Sequence, residues 1–354
     1  MPTTPQPTAK PRIDTFDYLR GFFIVVIIID HLWRWPNIFQ YISGRGELWV
    51  SAAEGFVIIS GLLVGYIRGY KNRKLPLKEV SVTLIKRGLL LYLWMIITTL
   101  SLVTTSWVLH FKGSIAHFPE PKGDWLALIG NVLRLDFVHT LTHFLYLYAI
   151  FLVLAPLAIW LLRAGKAWVI GVTSLALWCV GFITHIEWMQ WQILFFVPVI
   201  AGFYIDEILN KLRQLSRKSR LLLQYGFISI TAVTLLISAI IILPLEPGMF
   251  QYTLFSREPL TIERILFSFI WFIGLLSLFQ LLMPILKRYF GWLLSVFGGR
   301  SLTAYIVHII PLMLLQLLVG DTDNFWINSL LAIICVLLTW AILKIPSINK
   351  VIPR

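Results

Sequence analysis

The chain has 354 residues, 58% hydrophobic and only 13% charged, with a mean hydropathy of +0.82. Soluble domains of this length carry about twice that charged fraction, so the composition excludes a soluble globular protein and indicates a polytopic membrane protein. The formal net charge of +13 invites a nucleic-acid reading, but the placement of the charges along the chain argues against one.

Residues 1–12, with four prolines, read as a polar tail, and their lack of an apolar h-region argues against a cleaved signal peptide. Residues 13–354 read as one integral membrane domain of the all-α class, a transmembrane bundle of about ten helices. The apolar runs lie at about 21–37, 47–69, 86–108, 143–162, 167–185, 190–208, 221–243, 264–285, 300–319 and 325–344.

The first run carries Arg20 at one end and Asp30-His31 towards the other. Ionisable groups at bilayer depth are costly and mark a pathway or a reaction centre. Eleven residues at about 100° each put Arg20 and His31 on one helical face, roughly 16 Å apart. The competing reading makes Arg20 an interfacial anchor and His31 a satisfied polar residue. The second run adds Glu54, on one face with Gly61 and Gly65. Small residues four apart permit close helix packing, which draws Glu54 into the bundle at a depth like that of His31. A carboxylate there could orient an imidazole; a structural ion pair is the alternative.

The connection 109–142 carries His110, His117 and a Pro-Glu-Pro-Lys-Gly turn, then an amphipathic stretch, Asp124–Phe137, expected along the outer surface. Asp136, His139 and His143 fall at i, i+3 and i+7 and share a face if that stretch is helical. Two histidines and a carboxylate could hold zinc, but one helix seldom supplies a whole site, so a polar acceptor is the preferred ligand and no metal is expected. A second long connection, 244–263, is rich in Pro, Glu and aromatics. Near the end, Ser301, Tyr305 and His308 form one polar stripe in an apolar run. Lipid would penalise such a stripe, so it is expected to face the interior; interhelical hydrogen bonding is its other use.

With a cytoplasmic N-terminus and ten helices, only Arg34, Arg45, Lys112, Lys122, Arg134, Arg257 and Arg264 fall outside, leaving 23 of the 30 Lys and Arg residues in the cytoplasm. Dense clusters stand at Arg68–Lys78, Lys86-Arg87, Lys211–Arg220 and Lys287-Arg288. This asymmetry predicts that both termini are cytoplasmic, and it assigns the basic excess to topology and anionic lipid, not nucleic acid. Cys179 and Cys335 lie in separate apolar runs and read as packing residues. The sequence holds no P-loop, no Gly-rich dinucleotide fingerprint and no credible internal repeat.

Arg20 and His31 resemble the Arg-x10-His signature of the acyltransferase 3 superfamily. The finer resemblance is to its glucan succinyltransferase (OpgC-type) branch. It is carried by Asp17-Tyr-Leu-Arg-Gly21, Ile29-Asp-His31 and Ser51-Ala-Ala-Glu-Gly-Phe-Val-Ile-Ile-Ser-Gly61. Leu145-Tyr-Leu-Tyr148, Trp191-Gln-Ile-Leu-Phe195 followed by Gly202, and Gly299-Arg-Ser-Leu-Thr-Ala-Tyr-Ile-Val-His308 extend it. A related arrangement occurs in heparan-alpha-glucosaminide N-acetyltransferase relatives.

The resemblance implies an O-acyltransferase of the cytoplasmic membrane. It would move a succinyl or acetyl group from cytoplasmic acyl-CoA, a co-substrate with no resident cofactor beside it, to a hydroxyl of an extracytoplasmic glycan or glycolipid. His31 would be the general base or a transient acyl carrier, Glu54 would orient it, and Asp30 is a weaker candidate. Arg20 and the cytoplasmic basic clusters would hold the CoA phosphates. His308, placed deeper than His31, would contact the donor together with Ser301 and Tyr305, and Asp136, His139 and His143 would meet the acceptor. A transporter of a glycolipid or solute is the alternative class; it would favour an inverted repeat.

Overall fold

The computed structural model describes residues 14–109, 123–245, 254–348 and 352. They are overwhelmingly helical, and among them there is no β-strand beyond an isolated bridge between Arg257 and Leu260. The 1–12 tail, His110, Lys112, His117 and Lys122 lie outside the described residues.

The chain begins with α1 (Asp14–His31), then α2 (Ala52–Lys71), whose last two turns, Val64–Lys71, are π-helical. Next come α3 (Leu77–Leu109), the short α4 (Trp125–Arg134), α5 (Thr140–Arg163), α6 (Ala167–Thr184) and α7 (Glu187–Phe203). The second half holds α8 (Ile205–Gln214), α9 (Arg217–Ile242), α10 (Ile262–Gly299), α11 (Ser301–Val319) and α12 (Phe325–Lys344). Side chains close several N-termini: Asp124 accepts from the Ala127 amide, Ser216 from Ser219, and Asn324 from Trp326 and Ile327.

Among the described residues eight helices are long and apolar enough to cross a membrane, and α7 with α8, bent by 65° at their joint, makes a ninth if counted as one span. The expected tenth is α1. It fails on apolarity alone, since Asp14, Asp17, Arg20 and Asp30 fall within its 18 residues. Helix directions show how it fits. The Gly61, Gly65 and Gly69 series of α2 meets Phe195, Val199 and Phe203 of α7 in the same order, so those helices run parallel. Gly21 of α1 meets Leu294, while Gly298 meets Asp17, so α1 and α10 run antiparallel. α3 meets α5 antiparallel through Gly88 with Ala149 and Thr99 with Thr142; α9 meets α10 likewise through Gln224 with Ser277 and Thr231 with Ile270. Each relation is what strict alternation through ten crossings requires, with α1 first and α7 sixth.

The small residues expected on α2 serve as read. A Cβ on Gly61 would stand 2.1 Å from the Phe195 carbonyl oxygen, and one on Gly65 2.0 Å from that of Val199. Such backbone-to-backbone approach is how helices associate in lipid, where burial of apolar area offers little drive. α2 and α11 are the most enclosed spans, while α6 and α9 turn most of their surface, including Trp168, Ile183 and Leu222, outward.

Candidate active site

α1 and α11 run side by side in the same direction and are joined at two polar points. The Arg20 guanidinium donates to the Ser301 hydroxyl, and His31 Nδ1 stands 2.9 Å from His308 Nε2. The stripe on α11 therefore does face the interior: Ser301, Tyr305 and His308 are all buried. The expectation that His308 sits deeper than His31 does not hold. Seven residues of α11 rise roughly 10 Å against roughly 16 Å for eleven of α1, and the long arginine side chain spans the difference.

The hydrogen bonds set the tautomers of the pair. His308 Nδ1 faces the Tyr305 carbonyl, which can only accept, so Nδ1 carries the proton. His308 Nε2 is then an acceptor, and His31 Nδ1 must donate to it. In the neutral pair this leaves His31 Nε2 with a lone pair and no proton. The ring of Tyr305 packs edge-on to His31 with centroids 5.8 Å apart.

From Tyr305 an aromatic wall runs to Phe144 (5.4 Å between centroids) and on to Tyr148 (5.5 Å). Tyr148 borders a cavity of about 110 Å3 between α1, α2, α3 and α5. Arg20, Arg68 and Arg87 all line it, with Thr83 and Ser60. The Ser60 hydroxyl is buried with no protein partner, as are Nε of Arg20 and Nε of Arg87. The π-helical turns matter here, because Arg68 is carried on them while Gly65 and Gly69 keep to the α7 side. Three guanidiniums around one small cavity make a focused positive potential suited to an anion.

Glu54 is wholly buried at a helix terminus, and its partner is not His31. Its Oε2 accepts from the Ser51 amide (2.9 Å) and the Ser51 hydroxyl (2.5 Å), and its Oε1 from Arg264 Nε (2.6 Å). Ser51 in turn caps the first turn of α2, so the two residues form a capping box. Arg264 also donates to the carbonyls of Leu48 (3.3 Å) and Phe255 (3.0 Å). The ion-pair alternative is thus the one formed, because an acid at the third position of a helix faces its own N-terminus. Asp30 bonds with Ser43, not with His31, and its Oδ1 is buried without a partner.

Asp136, His139 and His143 do not share a helical face, since residues 137–139 break the helix between α4 and α5. Asp136 is exposed and pairs with Arg134 (3.1 Å); His143 pairs with Glu187 (2.6 Å). His139 is buried, accepts from the Leu141 amide (3.2 Å), and lies within electrostatic range of His31. Among the described residues no group of three or more His, Cys, Asp or Glu is gathered as a metal ligand set.

Sequence reasoning missed the His31–His308 bond, Ser60, Tyr148 and the pairing of Arg264. It read Arg68 and Arg87 as parts of basic clusters, not as cavity walls. Ser51-Ala-Ala-Glu54 is itself the signal of a capping box.

Fold and site define an integral membrane protein in which an imidazole pair joins two of its helices, one ring buried and the other half-buried. A family model described as OpgC protein matches residues 12–350, and the chain belongs to that family. No curated protein and no solved structure matches the chain. Membership makes this a multi-pass membrane acyltransferase of a class that modifies glucans.

Proposed function

We propose that the protein transfers an acyl group, succinyl or acetyl, from acyl-CoA on the cytoplasmic side of the cytoplasmic membrane to a glycan hydroxyl on the other side. Both termini would then be cytoplasmic. The observation that carries this reading is the hydrogen-bond chain from the Tyr305 carbonyl through His308 to His31. It leaves His31 Nε2 as an oriented base, with His308 wholly buried behind it and His31 itself half-buried. A general base must hold its lone pair towards the proton it removes, and a fixed tautomer does that.

In this scheme the cavity of Arg20, Arg68 and Arg87 takes the donor's phosphates, Arg20 remaining bonded to Ser301. The donor's thioester arm runs along the wall of Tyr148, Phe144 and Tyr305 towards His31. His31 removes the acceptor proton, the hydroxyl oxygen attacks the thioester carbon, and the imidazolium returns the proton to the departing thiolate. His308 orients His31, a role the sequence assigned to Glu54. Glu54 instead fixes the start of α2 through Arg264. Asp136 and His143, each tied to a charged neighbour, are weaker acceptor ligands than the buried His139.

The test is purified protein in lipid nanodiscs given acyl-CoA and a glucan, with the products read by mass spectrometry. Acylated glucan together with free CoA supports the scheme. Substrate translocation without ester formation would instead establish the transporter reading.

A further inference from the structure

One polar group of the arginine cavity has no part in the scheme above. The Ser60 hydroxyl lines that cavity, in a residue only 3% exposed, and it meets no hydrogen-bond partner in the protein. A serine or threonine inside a helix commonly donates to the carbonyl one turn back. Thr98, Ser268, Ser329 and Thr339 of this bundle do so, bonding the carbonyls of Trp94, Arg264, Phe325 and Cys335. Ser60 makes no such bond to Phe56 and keeps its hydroxyl for the cavity. A buried hydroxyl without a partner is costly, and a ligand in the cavity would remove that cost.

The neighbours of Ser60 define its place in the cavity. From α2 the lining runs from Ser60 through Leu63, Val64 and Ile67 to Arg68 in the π-helical turns, roughly 10 Å along the axis. One turn before Ser60, Phe56 packs edge-on to Phe144 with centroids 4.9 Å apart. Phe144 meets Tyr305, whose ring lies against His31. On α5 the same one-turn step leads from Phe144 to Tyr148, which lines the cavity with Ser60. Ser60 therefore stands at the end of the cavity nearest the imidazole pair, and Arg68 at the other. Leu63, Val64 and Leu152 add apolar wall.

We propose that Ser60 is a binding residue for the amide-bearing stem of the donor, the segment between its phosphates and its thioester. The proposal rests on the acyl-transfer reading and goes beyond it, since that reading gives the cavity only to phosphate. In an acyl-CoA the stem joins phosphate to sulfur through two amides and short runs of methylene. About twelve bonds separate phosphate oxygen from sulfur, the length of four peptide units, or roughly 14 Å when extended. Arg20 and His31 stand roughly 16 Å apart along α1. A donor whose phosphates meet Arg20 thus lays its stem past Ser60 and brings its sulfur near the imidazoles. A hydroxyl suits such a stem, because it can donate to an amide carbonyl or accept from an amide N–H. The leucine and valine walls pack the methylenes.

The experiment compares wild type with Ser60→Ala in nanodiscs, using a glucan and two donors, acyl-CoA and acyl-pantetheine, the second lacking phosphates. Losing one neutral hydrogen bond should raise KM for both donors by about 2- to 13-fold. kcat should be little changed, as for any interaction made equally in ground and transition states. The ligand-free thermal midpoint should stay the same or rise, because the variant removes an unmet buried group. The upward shift produced by added CoA, or by pantetheine alone, should shrink. A packing role would instead lower the midpoint and leave both KM values alone. Wild-type KM for both donors overturns the assignment. A rise for acyl-CoA alone overturns it too, by placing Ser60 on a phosphate. No ester from the wild-type protein would defeat the acyl-transfer reading itself, so the two failures are distinct.

Discussion

Replacing His308 tests the order of the hydrogen-bond chain. In His308→Ala the donor on His31 Nδ1 loses its acceptor in a buried setting, where an unmet group costs about 1–3 kcal/mol. That energy is also what holds the imidazole in the tautomer with a free Nε2. Spent on restoring the reactive form, it lowers kcat by about 5- to 150-fold, at about 1.4 kcal/mol per tenfold. His308→Gln can place its amide oxygen near the position of Nε2 and should recover most of the loss, whereas His31→Ala removes the base and should cost about 10²–10⁴-fold. The assay is initial-rate acyl transfer to glucan in nanodiscs, with donor KM measured alongside. Equal rates in His308→Ala and wild type would refute the relay. So would a defect confined to donor KM, which would return His308 to the donor-contact role first expected of it.

Glu54→Gln or Arg264→Met alone leaves a buried charge unpaired, for a loss of about 3–5 kcal/mol, while the double variant should regain part of it in thermal unfolding; strictly additive losses would deny the pairing. Arg68→Gln and Arg87→Gln should each raise donor KM about tenfold or more with kcat little changed, as expected for one lost charge-assisted hydrogen bond. An acyl-pantetheine donor without phosphates should be indifferent to both substitutions, and sensitivity there would remove the phosphates from the cavity. Gly61→Ala drives a methyl into the Phe195 carbonyl and should cost about 1–3 kcal/mol, read as a lowered melting point; an unchanged midpoint would mean the α2–α7 seam can open without penalty. Reporter fusions at residue 215 and at the C-terminus should both give the cytoplasmic signal, and opposite signals would break the ten-crossing alternation.

The spans were legible because membrane helices are selected by length and apolarity, and these are local properties of the chain. The close seam of α2 was legible too, since Gly61 and Gly65 are meaningful only as a packing edge. What local reading could not supply was partnership between distant segments. His31 and His308 are 277 positions apart, and no periodicity within either helix says which buried group the other will meet. Glu54 shows the opposite failure. Its environment was written three residues upstream, in Ser51, yet an acid in an apolar run drew the eye to the membrane interior and away from the helix start. The triad Asp136, His139 and His143 required an unbroken helix, and the αL residue Leu135, which ends α4, prevented one.

The first helix carries four charged residues and a histidine, and it stays at the centre because four of these five side chains are met by something specific. Asp14 pairs with Lys287 near the end of the span, Arg20 with Ser301, Asp30 with Ser43, and His31 with His308. The backbone of Asp17 is in contact with Gly298, and Gly21 with the Leu294 carbonyl, so α1 cannot slide along α10 without a clash. Arg20 and His31 are thereby held at a fixed spacing of roughly 16 Å along one face. A site that joins a cationic cavity to a distant base needs such a ruler, since misplacing either end by about 1 Å costs orders of magnitude in rate. The same charges that make α1 a poor membrane span by composition are thus the ones that fix it among its neighbours. Lipid supplies no comparable partners, so α1 depends on the completed bundle to remain where it is.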